Sequence, residues 1–189
     1  MRVIAVDGPA ASGKSSTARE VARRLGWAHL DSGALYRALT LAALDHVADA
    51  QGGKRAAWSP QRILALAEDL PIRLVLVGDA FRPEVAGVDV EVAIRTPRVT
   101  ALVSEVAALP EVREWVNARQ RAAAAGAARG VVVDGRDIGT VVFPDAPLKI
   151  FLTAAPATRA ERRLAQRGET PGPDEVRREA AALAARDAA

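Results

Sequence analysis

The stretch Gly8–Ser15, GPAASGKS, constrains this chain more than any other. It has the spacing G-x-x-x-x-G-K-[ST], and its surroundings suit that pattern. Arg2–Asp7, RVIAVD, is short, apolar and β-branched, and reads as a buried strand. From Ser15 to Leu25, the residues Ala18, Val21, Ala22 and Leu25 fall at helical spacing and run into Gly26, a helix stop. Strand, glycine loop and helix together make an anion cradle. Gly8 and Gly13 let the backbone close round a phosphate without a Cβ in the way. The amides of the loop and of the helix N-terminus then point at the anion. Lys14 is expected at the β- and γ-phosphates of a nucleoside triphosphate, and the Ser15 hydroxyl at a Mg²⁺ ion.

A phosphate cradle does not say what becomes of the phosphate. Switch GTPases, motors and small-molecule kinases all carry one. A GTPase should also carry a base-reading N-K-x-D stretch, and none is present.

The 189 residues suffice for one domain, read here as residues 1–189, with a sizeable core and small insertions. There is no cysteine, so neither disulfides nor thiolate metal sites arise, in keeping with a reducing cytoplasm. No apolar run approaches the ~20 residues of a spanning helix, so no membrane partner is expected. Of the 26 basic residues, 23 are arginine, a fork matched to phosphate oxygens. Seven aromatic residues, none interleaved with a basic stretch, argue against a nucleic-acid partner.

Further strands are expected at WAHL (27–30), GVVVDG (130–135) and LKIFLT (148–153). Helices are expected over 32–47, from Ser59-Pro60 to about Leu70, from Thr96-Pro97, from Pro110 to about Ala125, from Pro156 and from about Asp174. Residues 51–59 read as a loop. Residues 71–78 and 80–90 alternate like short strands of a small antiparallel insertion. Strands alternating with helices imply an α/β fold of three layers, a parallel sheet with helices on both faces.

DSGALYR (31–37) and VVVDGRDIGTVVFPDA (131–146) narrow the reading. With the glycine loop, they resemble the cytidylate kinases, the bacterial CMP/dCMP kinase type of P-loop nucleoside monophosphate kinase. The resemblance runs over nearly the whole chain, and GRDIGTVVFPDA is highly specific to that family. It implies phosphoryl transfer from ATP to CMP or dCMP with Mg²⁺ in a cytoplasmic monomer. ATP would lie on Gly8, Pro9, Ala10, Ala11, Ser12, Gly13, Lys14, Ser15 and Ser16. CMP would lie on Ser32, Arg37, Ser104, Arg113, Arg136, Asp137 and Arg186, with cytosine read by Ser104, Arg113 and Asp137. The catalytic charges would be Lys14, Arg136, Arg159 and Arg163, and the metal would be held by Ser15 and, through water, Asp134. An acceptor-binding insertion is expected over roughly 37–100 and a basic lid over roughly 154–172.

The residues agree with this chemistry. In an open α/β sheet, ligands lie beyond the carboxyl ends of the strands, where 31–37 and 134–137 should converge. A carboxylate accepts from cytosine N4, whereas uracil would set O4 against it. Related kinases of UMP, AMP or another small acceptor, or a non-transferring relative, are the alternatives. Asp7 and Asp134 both end strands beside the loop, and Asp134 is the favoured metal residue. On the lid helix, Arg162 accompanies Arg159 and Arg163, and the pattern does not say which acts. His29 and His46 have no partner pattern and read as structural.

The family pattern continues where ALAARDAA stops. An aspartate for the sugar, a second phosphate arginine, a loop at the donor adenine, an edge strand and a helix would follow Ala189. A protein ending there is expected to bind acceptor and adenine poorly and to leave one sheet edge open.

Overall fold

The computed structural model describes residues 1–47, 58–168 and 170–188. Most of the 51–59 loop, and the side chain of Arg186, lie outside the described residues. The elements run β1 (Val3–Asp7), α1 (Lys14–Leu25), β2 (Ala28–Asp31), α2 (Gly33–His46), α3 (Pro60–Asp69), β3 (Ile72–Val77), β4 (Ala80–Val85) and β5 (Val88–Asp89). There follow α4 (Pro97–Ala107), α5 (Pro110–Ala125), β6 (Val131–Gly135), a π-helical turn (Ile138–Val142), β7 (Leu148–Phe151), α6 (Pro156–Gln166) and α7 (Pro173–Ala188).

Five of these helices open on proline at their first turn: α3, α4, α5, α6 and α7. Proline's missing N–H costs nothing there, and its φ is already helical. At α3 the Ser59 hydroxyl accepts from the Arg62 amide at 3.3 Å.

The sheet order is β3-β4-β2-β6-β1-β7. β1, β2, β6 and β7 are mutually parallel. The antiparallel hairpin β3–β4 does not form a separate small sheet. β4 pairs with β2 in parallel at His29↔Ala80, and the His29 amide donates to Asp79 O at 2.8 Å, so the hairpin extends the central sheet. β5 is a short third strand on β4.

The alternation of side chains divides the core. Val3 and Ala5 join Leu30, Val131 and Val133 against Ala124 of α5 and against Ile138, Val142 and Phe143. Ile4, Val6 and Val132 face Ala18 and Ala22 of α1 on the other side. Strands covered on both faces read as unbroken apolar runs, as these do. A second core gathers Leu35 and Leu39 of α2, Ile63 of α3, Val99 and Val106 of α4 and Val112 and Val116 of α5.

Register then fixes where polar residues fall. Asp7 stands opposite Gly135, Val6 opposite Asp134, and Asp31 opposite Asp134. All three carboxylates reach the same sheet edge as the glycine loop. Among the described residues, no helix is long and apolar enough to cross a membrane.

Candidate active site

The glycine loop is built for close approach. A Cβ on Gly8 would stand 2.2 Å from Leu152 O, so only glycine fits between the loop and the chain leaving β7. Gly13 has φ 98° and Ala11 φ 59°. The left-handed Ala11 costs on the order of 1 kcal/mol, a local strain of the kind that accumulates at binding loops. Lys14 Nζ donates to Pro9 O at 3.1 Å and lies across the loop. Burial lowers its pKa below 10.5; Asp134 opposes that shift and Arg136 adds to it. The Ser12 hydroxyl is buried without a hydrogen-bond partner among the described residues, a donor left over inside the loop. Ser16 is exposed one residue beyond the Ser15 position.

The three strand-end carboxylates have separate occupations. Asp7 accepts from the amides of Ile138 at 2.7 Å and Gly139 at 2.8 Å, and so holds the π-helical turn. Each of its oxygens thus holds one backbone amide of the turn. Asp31 accepts from the Gly33 amide at 2.9 Å and from Arg95 at 3.1 Å. Asp134 accepts the Ser15 hydroxyl at 2.5 Å and faces His29 Nε2 at 2.7 Å. His29 therefore has a partner that the sequence pattern did not suggest.

A cluster of guanidinium groups lies at the loop. Arg159 of α6 is buried and donates to Ala10 O at 3.2 Å and to Asp187 Oδ2 at 2.5 Å. Arg136 donates to Asp187 Oδ1 at 2.9 Å, and so does the Ala10 amide, at 3.3 Å. One carboxylate of α7 thus collects two arginines and a loop amide, the donors an anion would use. Burial pushes the Asp187 carboxyl up, but Arg159, the Ala10 amide and Arg136 outweigh it and hold the group below 3.8. Arg162 donates to Ser12 O at 3.0 Å. No side-chain hydrogen bond or ion pair of Arg163 is seen among the described residues, so of these two neighbours Arg162 is the one in contact with the loop. Asp187 and Arg162 are the residues that spacing alone did not single out. α7 arrives from the far end of the chain, and only packing brings Asp187 to the loop.

The expected base-reading group is partly assembled. Arg113, near the start of α5, is hydrogen-bonded to Asp137 and approaches Ala107 O at 3.5 Å. Ser104 stands exposed on α4, one turn before Ala107, and its hydroxyl bonds to neither Arg113 nor Asp137. Tyr36 lies close enough to both charges to feel them. Burial raises its phenol above 10, Asp137 adds to the shift and Arg113 opposes it. Ser32 is buried; its amide donates to Asp134 O at 3.0 Å and its carbonyl accepts from Gln120 at 3.0 Å. Its hydroxyl packs on the Gly135 backbone, where a Cβ would come within 2.3 Å. Arg37 donates to Thr100 Oγ1 at 3.0 Å and Ile94 O at 3.3 Å, toward α4. Arg186 falls outside the described side chains.

Chemically, this edge of the sheet gathers anion-binding donors, the Ala10 amide with Arg136 and Arg159, on the one carboxylate of Asp187 beside the glycine loop. Comparison with known proteins shows the family. Residues 4–189 match the family described as Cytidylate kinase. A cytidylate kinase of Streptomyces griseus is 47% identical over 190 residues, covering 99% of this chain and 76% of its own. One of Mycobacterium leprae is 46% identical over 186 residues, covering 98% and 78%. One of Pseudomonas paraeruginosa is 47% identical over 166 residues, covering 87% and 69%. A match of that extent, on a sheet edge with this loop and these arginines, makes the chain a member of the cytidylate kinase family.

Proposed function

We propose that this enzyme transfers the γ-phosphoryl group of ATP to CMP or dCMP, giving ADP and CDP or dCDP. One observation carries the reading: Arg136, Arg159 and the Ala10 amide meet on a single carboxylate, so the loop and the arginine cluster serve adjoining anions.

The residues of the loop, Gly8 to Ser16, hold the donor phosphates, and Lys14 neutralises charge on the γ-phosphoryl. An oxygen of the acceptor phosphate attacks γ-phosphorus while the bond to the β–γ bridging oxygen breaks and its electron pair leaves with ADP. That oxygen is already ionised at neutral pH, so no general base is required. Arg136 holds the acceptor phosphate in line, joined by Arg186 and by Arg37 once it releases Ile94 and Thr100. Arg159 and Arg162 place positive charge where it spreads during transfer. Asp187 leaves its arginines when nucleotide phosphates arrive. Ser32 lines the acceptor side.

Asp137 accepts from cytosine N4, while Arg113 and Ser104 donate to its acceptors. Residues 37–100 serve as the acceptor-binding insertion and 154–172 as the lid. Ser15 Oγ and Asp134 are hard oxygen donors that fit Mg²⁺. Among the described residues there is no cluster of three or more ligating side chains, as suits an ion completed by water and phosphate. Bound there, the ion neutralises phosphate charge. The setting is a monomer in the cytoplasm.

ADP release measured across CMP, dCMP, UMP and AMP tests the reading. CMP or dCMP should exceed UMP and AMP in kcat/KM by about 100-fold or more, since a buried polar site rejects a mispaired base. Faster turnover of UMP or AMP would overturn it.

A further inference from the structure

We infer that His29 is a positioning residue, the outer member of a His29–Asp134–Ser15 relay that fixes the metal-binding hydroxyl of the loop. The inference rests on the proposed Mg²⁺ role of Ser15 and Asp134.

The sheet register creates the relay. His29 stands opposite Val132 across β2 and β6, so Asp134, two residues further on, lies on the same face. That face is the one covered by α1, whose first turn carries Ser15. His29 Nε2 lies 2.7 Å from Asp134 Oδ1, and Ser15 Oγ lies 2.5 Å from Asp134 Oδ2. His29 is 7% exposed and Asp134 1%. Asp134, the more buried of the two, depends on protein donors, while His29 borders an open cavity of about 330 Å³ beside α1.

Donor and acceptor roles then follow from the groups. A carboxylate only accepts, so Nε2 carries the hydrogen and donates it, and the Ser15 hydroxyl donates to the other oxygen. With its proton committed to Asp134, Ser15 Oγ keeps its lone pairs for a hard cation. The backbone that carries the imidazole is fixed: the His29 amide donates to Asp79 O at 2.8 Å, and its strand is paired on both sides, to β6 and at Ala80 of β4. His29 thus does for Asp134 what the outer partners of metal-binding groups do generally: it sets orientation without touching substrate. An apolar residue at position 29 would leave Oδ1 buried without a donor, and Asp134 free to turn away from Ser15.

Two measurements test this. Nitrogen-15 NMR of the histidines in the unaltered protein should show the His29 Nε2 protonated and hydrogen-bonded. A neutral ring protonated at Nδ1 alone would overturn the proposal. Mn²⁺ titration of the enzyme–ADP complex, read by electron paramagnetic resonance, should show His29→Leu weakening Mn²⁺ about 10-fold or more. His29→Gln, which keeps an N–H near the Nε2 position, should stay within about 2-fold of the parent, and metal-free ADP affinity should not change. If His29→Leu does not fold, His29→Asn, too short to reach Asp134, replaces it with the same expected loss. Parent-like Mn²⁺ affinity in the leucine or asparagine variant, with loss in Asp134→Asn, would overturn the relay and leave the metal role of Asp134 standing. Parent-like affinity in Asp134→Asn would bring down that metal role and the relay with it.

Discussion

Asp137 has a charged partner before any base arrives. Arg113 holds one of its oxygens, so the carboxylate is oriented in advance, as the proposed reading of cytosine N4 requires. Asp137→Asn keeps the shape and turns part of the acceptor into a donor. Turnover of CMP should then fall by about 100-fold in kcat/KM while UMP, whose O4 can accept, gains relative to CMP. A ratio of CMP to UMP rates equal to the parent's would remove Asp137 from base reading. At this scale the sequence was legible wherever a residue's role is local. Lys14, Ser15 and the two glycines follow from spacing, because a loop of eight residues has to close on itself. Asp187 was not legible: its ligands Ala10, Arg136 and Arg159 come from three separated stretches, and no local pattern links them. His29 was hidden for the same reason, its partner lying two positions along a neighbouring strand.

The helices could be read because their starts are chemically marked. Pro60, Pro97, Pro110 and Pro156 each open a helix at the expected place. The face of α6 could not be read, because Arg162 and Arg163 are adjacent and periodicity cannot choose between them. Packing sets Arg162 against the loop, where it donates to Ser12 O, and we propose that it is the one that acts with Arg159. Arg162→Ala should lower kcat/KM for ATP by about 10-fold or more, and Arg163→Ala by no more than about 2-fold, in parallel steady-state assays. The π-helical turn was also hidden, since the carboxylate that holds it, Asp7, precedes it by 131 residues. Arg121 caps the turn from α5, donating to Val142 O at 2.8 Å and Val141 O at 2.9 Å, so the GRDIGTVVF stretch has a structural role beside the functional one proposed for it. α7 carries a pH dependence. The carboxyl of Asp187 is depressed below 3.8, so its contribution to docking α7 is complete above that value. The contribution is lost as pH falls through the depressed value. Acid titration followed by amide exchange in α7 should show protection declining below about pH 4 in the parent, with that step absent in Asp187→Asn.

For the whole molecule, alternating strands and helices gave the parallel sheet and its layers, because buried parallel strands demand helical cover on both faces. The place of the β3–β4 hairpin was not contained in that pattern. Antiparallel pairing is local to a hairpin, but its joining to β2 is one parallel contact made at a distance. The topology bears on the proposed function because it puts the glycine loop after β1, Asp134 at the end of β6, Arg136 just after it and Ser32 after β2 on one edge, where the proposal has two nucleotides meet at their phosphates. Calorimetric binding of a bisubstrate compound, adenosine and cytidine joined through five phosphates, tests that geometry most directly. The account predicts one molecule bound per chain, at least about 100-fold more tightly than ATP or CMP alone, with the gain reduced by both Lys14→Ala and Arg136→Ala. Binding no tighter than that of the better single nucleotide, or insensitive to either substitution, would contradict it.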